Sequence, residues 1–300
     1  MSGPGNVPPM RLARVLGALG RSCITLGTLL LLFVAYQLWG TGIREAQAQT
    51  RLKGEFRHTL ETVCAKPQAD ADTLSGCQPP NPKPTIGAVP EGQPTAIIKI
   101  PKISVNKIVV EGVTLDDLKK GPGHYPGTPL PGQKGNAAIA GHRTTYGAPF
   151  NRIDELKPGD SILVQTVQGK FRYVVKETQI VSPTQVDVLD DKGDNRLTLT
   201  ACHPKYSAAK RIVVVSELGP NQIALPSTAT SKVQGNLNGE GAPALPAIIL
   251  GILCAAIWAF AWALGRLWRK WPAYALGFPF FIVALFFFFE EFSRLLPANF

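Results

Sequence analysis

Three long apolar runs stand out from a chain in which apolar and polar residues are otherwise mixed. They cover residues 22–40, 244–265 and 272–289. Each comes close to the ~20 apolar residues that an α-helix needs to cross a bilayer, and a helix satisfies its own backbone polar groups in lipid. The pattern therefore predicts three transmembrane helices, of which the last two form a hairpin.

The first and third runs each leave a second interpretation open. Ala46-Gln47-Ala48 resembles the small-residue site at which a signal peptide is cleaved, although the preceding apolar run is longer than a typical signal-peptide core. The third run is short and contains Pro279, so a re-entrant hairpin is an alternative. We expect a retained first anchor and three spans.

The region between the first two spans changes character twice. Residues 44–61 are polar in a pattern compatible with a helix, and residues 66–94 are dense in Pro, Gly, Gln and Asn, so residues 41–94 are interpreted as a stalk. Residues 219–243 are rich in Ser, Thr, Asn and Gly and read as a second linker. Between these tethers, residues 95–218 carry short apolar runs separated by turn signals, which predicts one compact domain.

The runs in this domain indicate a barrel or sandwich of β-strands with two short helices. One helix is expected at residues 115–120, where Thr114 caps the first turn, and another around residues 149–156. So little helix argues against a papain-like protease, in which the cysteine opens a long helix. Strands are predicted at residues 96–100, 105–111, 136–141, 161–167, 171–181, 196–201 and 211–217.

Charge predicts how the chain is oriented. The net charge is +10, and basic residues concentrate in segments 1–21 and 266–271, next to the apolar runs. The positive-inside rule puts both segments in the cytoplasm, so the compact domain and the tail 290–300 are expected outside a plasma membrane that the chain crosses several times. The predicted spans make the lipid bilayer an expected partner. Nucleic acid is not expected, because the remaining basic residues are dispersed without interleaved aromatics.

The five cysteines divide by location. Cys23 and Cys254 lie inside predicted spans and are expected to be packing residues. Cys64 and Cys77 lie outside the membrane in the Pro-rich segment, where an oxidising environment permits a disulfide. Cys202 lies in the compact domain, away from both pairs, and therefore calls for a chemical explanation.

Three residues at predicted strand ends suit acyl transfer. Cys202 ends one strand, Arg211 begins the next, and His142 follows an earlier strand. A thiol can act as nucleophile, an imidazole can carry its proton, and a guanidinium can stabilise the oxyanion. We predict these three as catalytic residues. His203 is a rival base, but successive residues of a strand face opposite sides, which disfavours it.

The motifs around these residues resemble those of the sortase family. The family signature is Thr-Leu-x-Thr-Cys followed by a loop and an arginine, and this chain has Thr-Leu-Thr-Ala-Cys at 198–202 and then Arg211. Segments 123–128 (GHYPGT) and 141–150 (GHRTTYGAPF) are similar to class E sortases of actinobacteria. The resemblance implies a closed eight-stranded all-β barrel and a membrane-anchored cysteine transpeptidase that needs no cofactor.

The resemblance also implies the partners and a substrate site. Sortases cleave secreted proteins at a C-terminal sorting signal between Thr and Gly, and transfer them to an amine of a cell-wall precursor. Likeness to class E favours LAxTG over LPxTG. Ala201 stands where the family usually has Thr, which is expected to alter specificity or rate without abolishing activity. The candidate substrate-binding residues are Thr200, Ala201, His124, Tyr125 and Tyr146, with a structural role equally open for His124.

Several alternatives remain at this stage. The acidic residues Asp187, Asp190, Asp191 and Asp194 precede the nucleophile strand, and a solvated turn is favoured over a calcium or substrate-tail site. No metal is expected in the catalytic site. Two other functions compete with transpeptidation, namely a noncatalytic membrane-tethered wall-binding module and a hydrolytic cysteine peptidase.

Overall fold

The structure is a computed structural model that describes residues 9–63, 89–227, 229, 243–267 and 270–295. A closed β-barrel forms its centre. Its strands run in the order β1-β2-β3-β4-β7-β8-β6-β5 around the barrel, which confirms the predicted closed eight-stranded all-β fold. The strands are β1 (Pro94–Ile100), β2 (Val105–Glu111), β3 (Gly123–His124), β4 (Gly135–Ala140), β5 (Ser161–Thr166), β6 (Gly169–Val181), β7 (Asn195–His203) and β8 (Lys210–Leu218).

Seven of these strands were predicted from apolar runs and turn signals, and β3 was not. This strand has only two residues, too few to produce an alternating pattern. It nevertheless closes the barrel, because it pairs parallel with β2 and antiparallel with β4. Tertiary pairing alone defines it.

The barrel interior holds one continuous apolar cluster. In β7 the inward residues are Leu197, Leu199 and Ala201, so the residues between them face outward. The outer face of β4 and β7 is also covered, by helix α3 (Leu115–Leu118) and a 3₁₀ turn at Val186–Leu189, and a second apolar cluster lies beneath this cover. Both faces of these two strands are therefore buried.

The first predicted helix is confirmed, and the second has a different geometry. Thr114 accepts a hydrogen bond from the backbone N–H of Asp117, as expected of an N-cap. The second segment, however, forms only a 3₁₀ turn at Ile153–Glu155. Its backbone bonds run from Ile153 to Phe150 and from Leu156 to Ile153, three residues apart, because the segment is too short to add an α-helical turn.

Within the residues that the structure describes, three stretches of helix are long and apolar enough to cross a membrane, at Ala13–Thr62, Leu245–Leu267 and Trp271–Arg294. The first stretch lies within α1 (Pro9–Ala35), a π-helical turn (Tyr36–Gly40) and α2 (Thr41–Val63), which follow one another without a break. The other two are α4 (Leu245–Leu267) and α5 (Lys270–Arg294), and they pack as a hairpin. Helix α5 continues through Pro279, unlike the re-entrant alternative.

Helix α2, which begins the predicted stalk, is packed on the barrel. Leu52, Phe56 and Leu60 recur every four residues and bury one helix face against Ile97 and Ile108. The sequence predicted a polar, helix-compatible segment here, and the helix is present; the apolar spacing that packs it on the barrel was overlooked. His58, on the opposite side of the helix, is exposed. Cys64 and Cys77 lie outside the described residues, so their disulfide remains a prediction.

Candidate active site

Strand pairing brings the three predicted catalytic residues to one end of adjacent strands. Strands β4 and β7 run parallel with Ala140 opposite Thr200, and the N–H of Gly141 extends the pairing by donating to the carbonyl of Thr200 at 3.0 Å. Two residues beyond this pair, His142 and Cys202 therefore lie at the same level. Strand β8 runs antiparallel to β7, and Arg211 is the direct partner of Cys202.

The candidate site lies on the outer face of the barrel wall. Cys202 shares this face with Thr200, because the intervening Ala201 points into the interior cluster. The hydroxyl of Tyr125 lies 3.2 Å from that of Thr200 and adds an aromatic wall to the same face. The sequence correctly predicted that Cys202 lies near the end of a strand, but it did not show whether the side chain faces into or out of the barrel.

Burial determines the protonation state of the Cys202 thiol. Burial raises its pKa to about 11, although the positive charges of Arg211 and Arg143 act in the opposite direction. The thiol is therefore neutral at pH 7, and a base has to remove its proton when it attacks. An imidazole at the level of Cys202 is suited to that task.

This thiol is expected to react with iodoacetamide faster at every step in pH from 7 to about 10, by about tenfold per unit, because only the thiolate alkylates. The measurement is peptide mapping by mass spectrometry, which separates Cys202 from the other four cysteines. A rate that levels off below pH 8 would mean that Cys202 is already a thiolate in the resting protein.

Arg211 is held in place by the end of the β7–β8 loop and the first residue of β8. Its side chain is almost fully buried, and Nη1 donates to the carbonyl oxygens of Ala208 and Lys210, both at 3.1 Å. A guanidinium cannot lose its proton in a protein, so the site contains a fixed positive charge beside the thiol. Such a charge is suited to stabilising an oxyanion.

His142 is buried and supported by the loop that follows it. The Thr145 hydroxyl lies 3.3 Å from Nδ1, and the ring packs on the ring of Tyr146 with centroids 5.0 Å apart. The carbonyl of His142 also accepts a hydrogen bond from the N–H of Phe150 at 3.1 Å. The position of the imidazole thus depends on the conformation of residues 143–150.

Arg143 is a residue that the sequence reasoning missed. Its Nη1 donates to the carbonyl of Cys202 and to Nδ1 of His203, both at 3.1 Å, and its Nη2 binds Asp154 at 2.9 Å. It therefore joins the segment after His142 to the end of β7. Because arginine can only donate, Nδ1 of His203 is an acceptor here, so this rival base is engaged with Arg143.

His124 has its ring nitrogens occupied by other parts of the fold. Nδ1 lies 2.8 Å from a carboxylate oxygen of Glu111, and Nε2 donates to the carbonyl of Pro129 at 2.9 Å. The ring is 2 % exposed. Through these contacts His124 links the end of β2 to the turn after β3. They favour the structural role that the sequence left open for this residue.

The acidic residues before β7 are engaged locally. Asp194 forms an ion pair with Arg196, and a carboxylate oxygen of Asp191 accepts the N–H of Gly193 at 2.8 Å. Asp187 and Asp190 are exposed. In the described part of the chain, no three His, Cys, Asp or Glu side chains are grouped so as to hold a metal ion.

Comparison with known proteins identifies the class to which the fold and these residues belong. Residues 98–219 match the family model of the sortase domain, which spans the barrel from β1 to the end of β8. The chain belongs to the sortase family, whose named members are cysteine transpeptidases.

Its relatives include class E sortases, in agreement with the resemblance of the motifs. Sortase SrtE1 of Streptomyces coelicolor is 36% identical over 213 residues, which cover 66% of this chain and 55% of SrtE1. Sortase SrtE2 of the same organism is 29% identical, over 72% of this chain and 87% of its own length. Sortase E from Streptomyces avermitilis, whose structure is solved, has 38% sequence identity to this chain. The match covers 44% of this chain and 91% of the sortase E chain, with a TM-score of 0.40. This chain thus spans just over half the length of SrtE1.

Proposed function

We propose that this protein is a membrane-anchored sortase that cleaves a C-terminal sorting signal between Thr and Gly and transfers the protein to an amine of a cell-wall precursor. The observation that carries the proposal is the convergence of His142, Cys202 and Arg211 at one end of β4, β7 and β8. A proton carrier, a nucleophile and a fixed cation are the parts that acyl transfer requires.

Each residue has a distinct role in the proposed reaction. His142 takes the proton from the Cys202 thiol as the sulfur attacks the Thr carbonyl carbon, and Arg211 stabilises the resulting oxyanion. When the Thr–Gly bond breaks, His142 gives the proton to the departing amine, and a thioester remains on Cys202. An acceptor amine then attacks the thioester and loses a proton to His142, which restores the thiol.

The sorting signal is proposed to bind along the outer face of the barrel. Thr200 and Tyr125 lie on this face beside Cys202, which supports their assignment as substrate-binding residues. Ala201 contributes only its backbone there, because its methyl group points inward. Likeness to class E sortases favours LAxTG over LPxTG as the signal.

The proposed location is the plasma membrane, with the barrel outside the cell. The three helices of the described residues that are long enough to span a bilayer support a multi-pass anchor. The basic composition of segments 1–21 and 266–271 supports a cytoplasmic position for both segments. Substrate and acceptor would then meet the site at the outer surface.

The experiment that tests the function is mass spectrometry of the full-length chain incubated with LAxTG and LPxTG peptides. We expect an acyl adduct on Cys202 whose mass corresponds to the peptide up to Thr, with LAxTG giving more of it. A peptide with its Thr and Gly exchanged serves as the control, since it lacks the scissile bond. Absence of an adduct with any sorting peptide would contradict the proposal.

Adding a small amine separates transfer from hydrolysis. A transpeptidase is expected to convert most of the cleaved peptide into the amine adduct, because the amine competes with water for the thioester. The products are separated by liquid chromatography and weighed. If the free acid stays the only product as the amine concentration rises, the protein is a hydrolytic peptidase.

A further inference from the structure

The loop after His142 holds an unfavourable backbone conformation. Tyr146, Gly147 and Ala148 have φ values of 48°, 70° and 42°, in the left-handed region that only glycine adopts readily. Residues with side chains persist in this region where surrounding contacts hold them. The contacts that hold this loop come from both membrane-embedded ends of the chain.

The N-terminal helix holds the backbone of the loop. The N–H of Tyr146 donates to the hydroxyl of Thr41 at 3.1 Å, and that hydroxyl donates in turn to the carbonyl of Gln37 at 2.8 Å. Gly147 packs so closely on Glu45 that a Cβ there would collide with the carboxylate. Glu45 is buried and held by Lys107 at 2.7 Å. The start of α2 therefore packs against the loop and holds its backbone through these contacts.

The C-terminal helix holds the side chain of Tyr146. The Tyr146 hydroxyl lies 3.4 Å from that of Ser293, which itself donates to the carbonyl of Glu290 at 2.7 Å, so Tyr146 is the donor of the pair. This end of α5 is attached to the rest of the protein by ion pairs of Glu290 with Arg44 at 2.5 Å and of Arg294 with Asp116 at 2.9 Å.

We propose that Tyr146 is a positioning residue that makes the orientation of His142 depend on both membrane anchors. Thr41 holds its backbone, Ser293 holds its hydroxyl, and its ring supports the imidazole. The C-terminal hairpin thus contributes to the catalytic arrangement in addition to attaching the barrel to the bilayer. This inference rests on the proposed function, in which His142 carries the proton.

The test uses the full-length chain in nanodiscs of phosphatidylcholine and phosphatidylglycerol, with a fluorogenic sorting peptide. Tyr146→Phe keeps the ring and loses the hydroxyl, and Ser293→Ala loses its partner. Each is expected to lower kcat by about fivefold with KM within about twofold of wild type, because one orienting hydrogen bond is lost. The double variant is expected to be no slower than either single variant, since both remove the same bond.

The backbone contact is tested separately at Thr41. Thr41→Val is expected to lower kcat, whereas Thr41→Ser is expected to keep it near the wild-type value, because serine retains the hydroxyl to which the Tyr146 N–H donates. Thr50→Val is the matched control, since the exposed Thr50 bonds to a carbonyl four residues back on α2, as Thr41 does, without the contact to Tyr146. Melting temperatures of all variants identify any that lose structure.

The outcomes distinguish this inference from the proposed function. If wild type forms no thioester in the nanodisc, the proposed function fails and the inference with it. If wild type turns over and Ser293→Ala and Thr41→Val match Thr50→Val in kcat, the inference alone is overturned. Additive losses in the double variant, or losses confined to KM, would also overturn it, because independent surface contacts or substrate contacts would explain them.

Discussion

The Cys202→Ala variant is expected to lose peptide cleavage by about 10⁴-fold or more, because no neighbouring group can replace the sulfur as nucleophile. The adduct on residue 202 should vanish with it. The protein should still fold, since alanine occupies less volume at a buried position and costs about 1–2 kcal/mol at most. Cleavage is measured by liquid chromatography of the peptide products, and folding by circular dichroism.

Cys254→Ala is the matched control for this substitution. Cys254 is also buried, but it lies in α4 among the helices that are apolar enough to span a membrane, so its loss should leave cleavage unchanged. If Cys202→Ala cleaved the peptide as fast as wild type, the nucleophile would lie elsewhere. A protein that binds cell wall equally well with and without Cys202 and never cleaves would instead fit the noncatalytic module.

Arg211→Gln is expected to lower kcat by about 10²–10³-fold, because it removes a fixed positive charge from the site where the oxyanion develops. Arg211→Lys should recover part of this loss, since it keeps the charge but not the planar guanidinium that donates to Ala208 and Lys210. KM should change less than kcat, because the oxyanion exists only in the transition state and intermediates. Steady-state kinetics with the sorting peptide provide both values.

The same substitution should change the reactivity of the thiol. Arg211 opposes the increase in the pKa of Cys202 that burial causes, so Arg211→Gln should shift the alkylation profile to higher pH. Arg172→Gln is the matched control, because Arg172 lies on β6 and its guanidinium binds Ser161 away from the site. An Arg211→Gln variant with wild-type kcat would exclude the oxyanion role.

Much of the fold could be predicted because its signals are local. Among the described residues, apolar runs predicted the three helices that can span a membrane, and short apolar runs between turn signals predicted every barrel strand except β3. The pairings that close the barrel are not local: β4 pairs with β7 at a separation of 60 residues between Ala140 and Thr200. No pattern within either strand specifies such a partner, so the sequence alone left a barrel and a sandwich open.

Some residues of the candidate site could likewise be predicted from the sequence, and others could not. Residue type and position at a strand end predicted His142, Cys202 and Arg211 as a group. Arg143 was missed because the atoms that it binds, in Cys202, His203 and Asp154, come near only after folding. The role of Tyr146 was equally hidden, since Thr41 and Ser293 lie about a hundred or more residues away along the chain.

The sequence by itself determined which segments are apolar enough for a membrane, which form strands, and which chemical groups stand at the strand ends. The tertiary structure alone decided that Cys202 faces outward and Ala201 inward. The physical reason is that β4 and β7 are buried on both faces, so the period of two shows which residues share a face but not which face is the core. Packing against the rest of the barrel makes that choice, and with it determines which residues can meet the substrate.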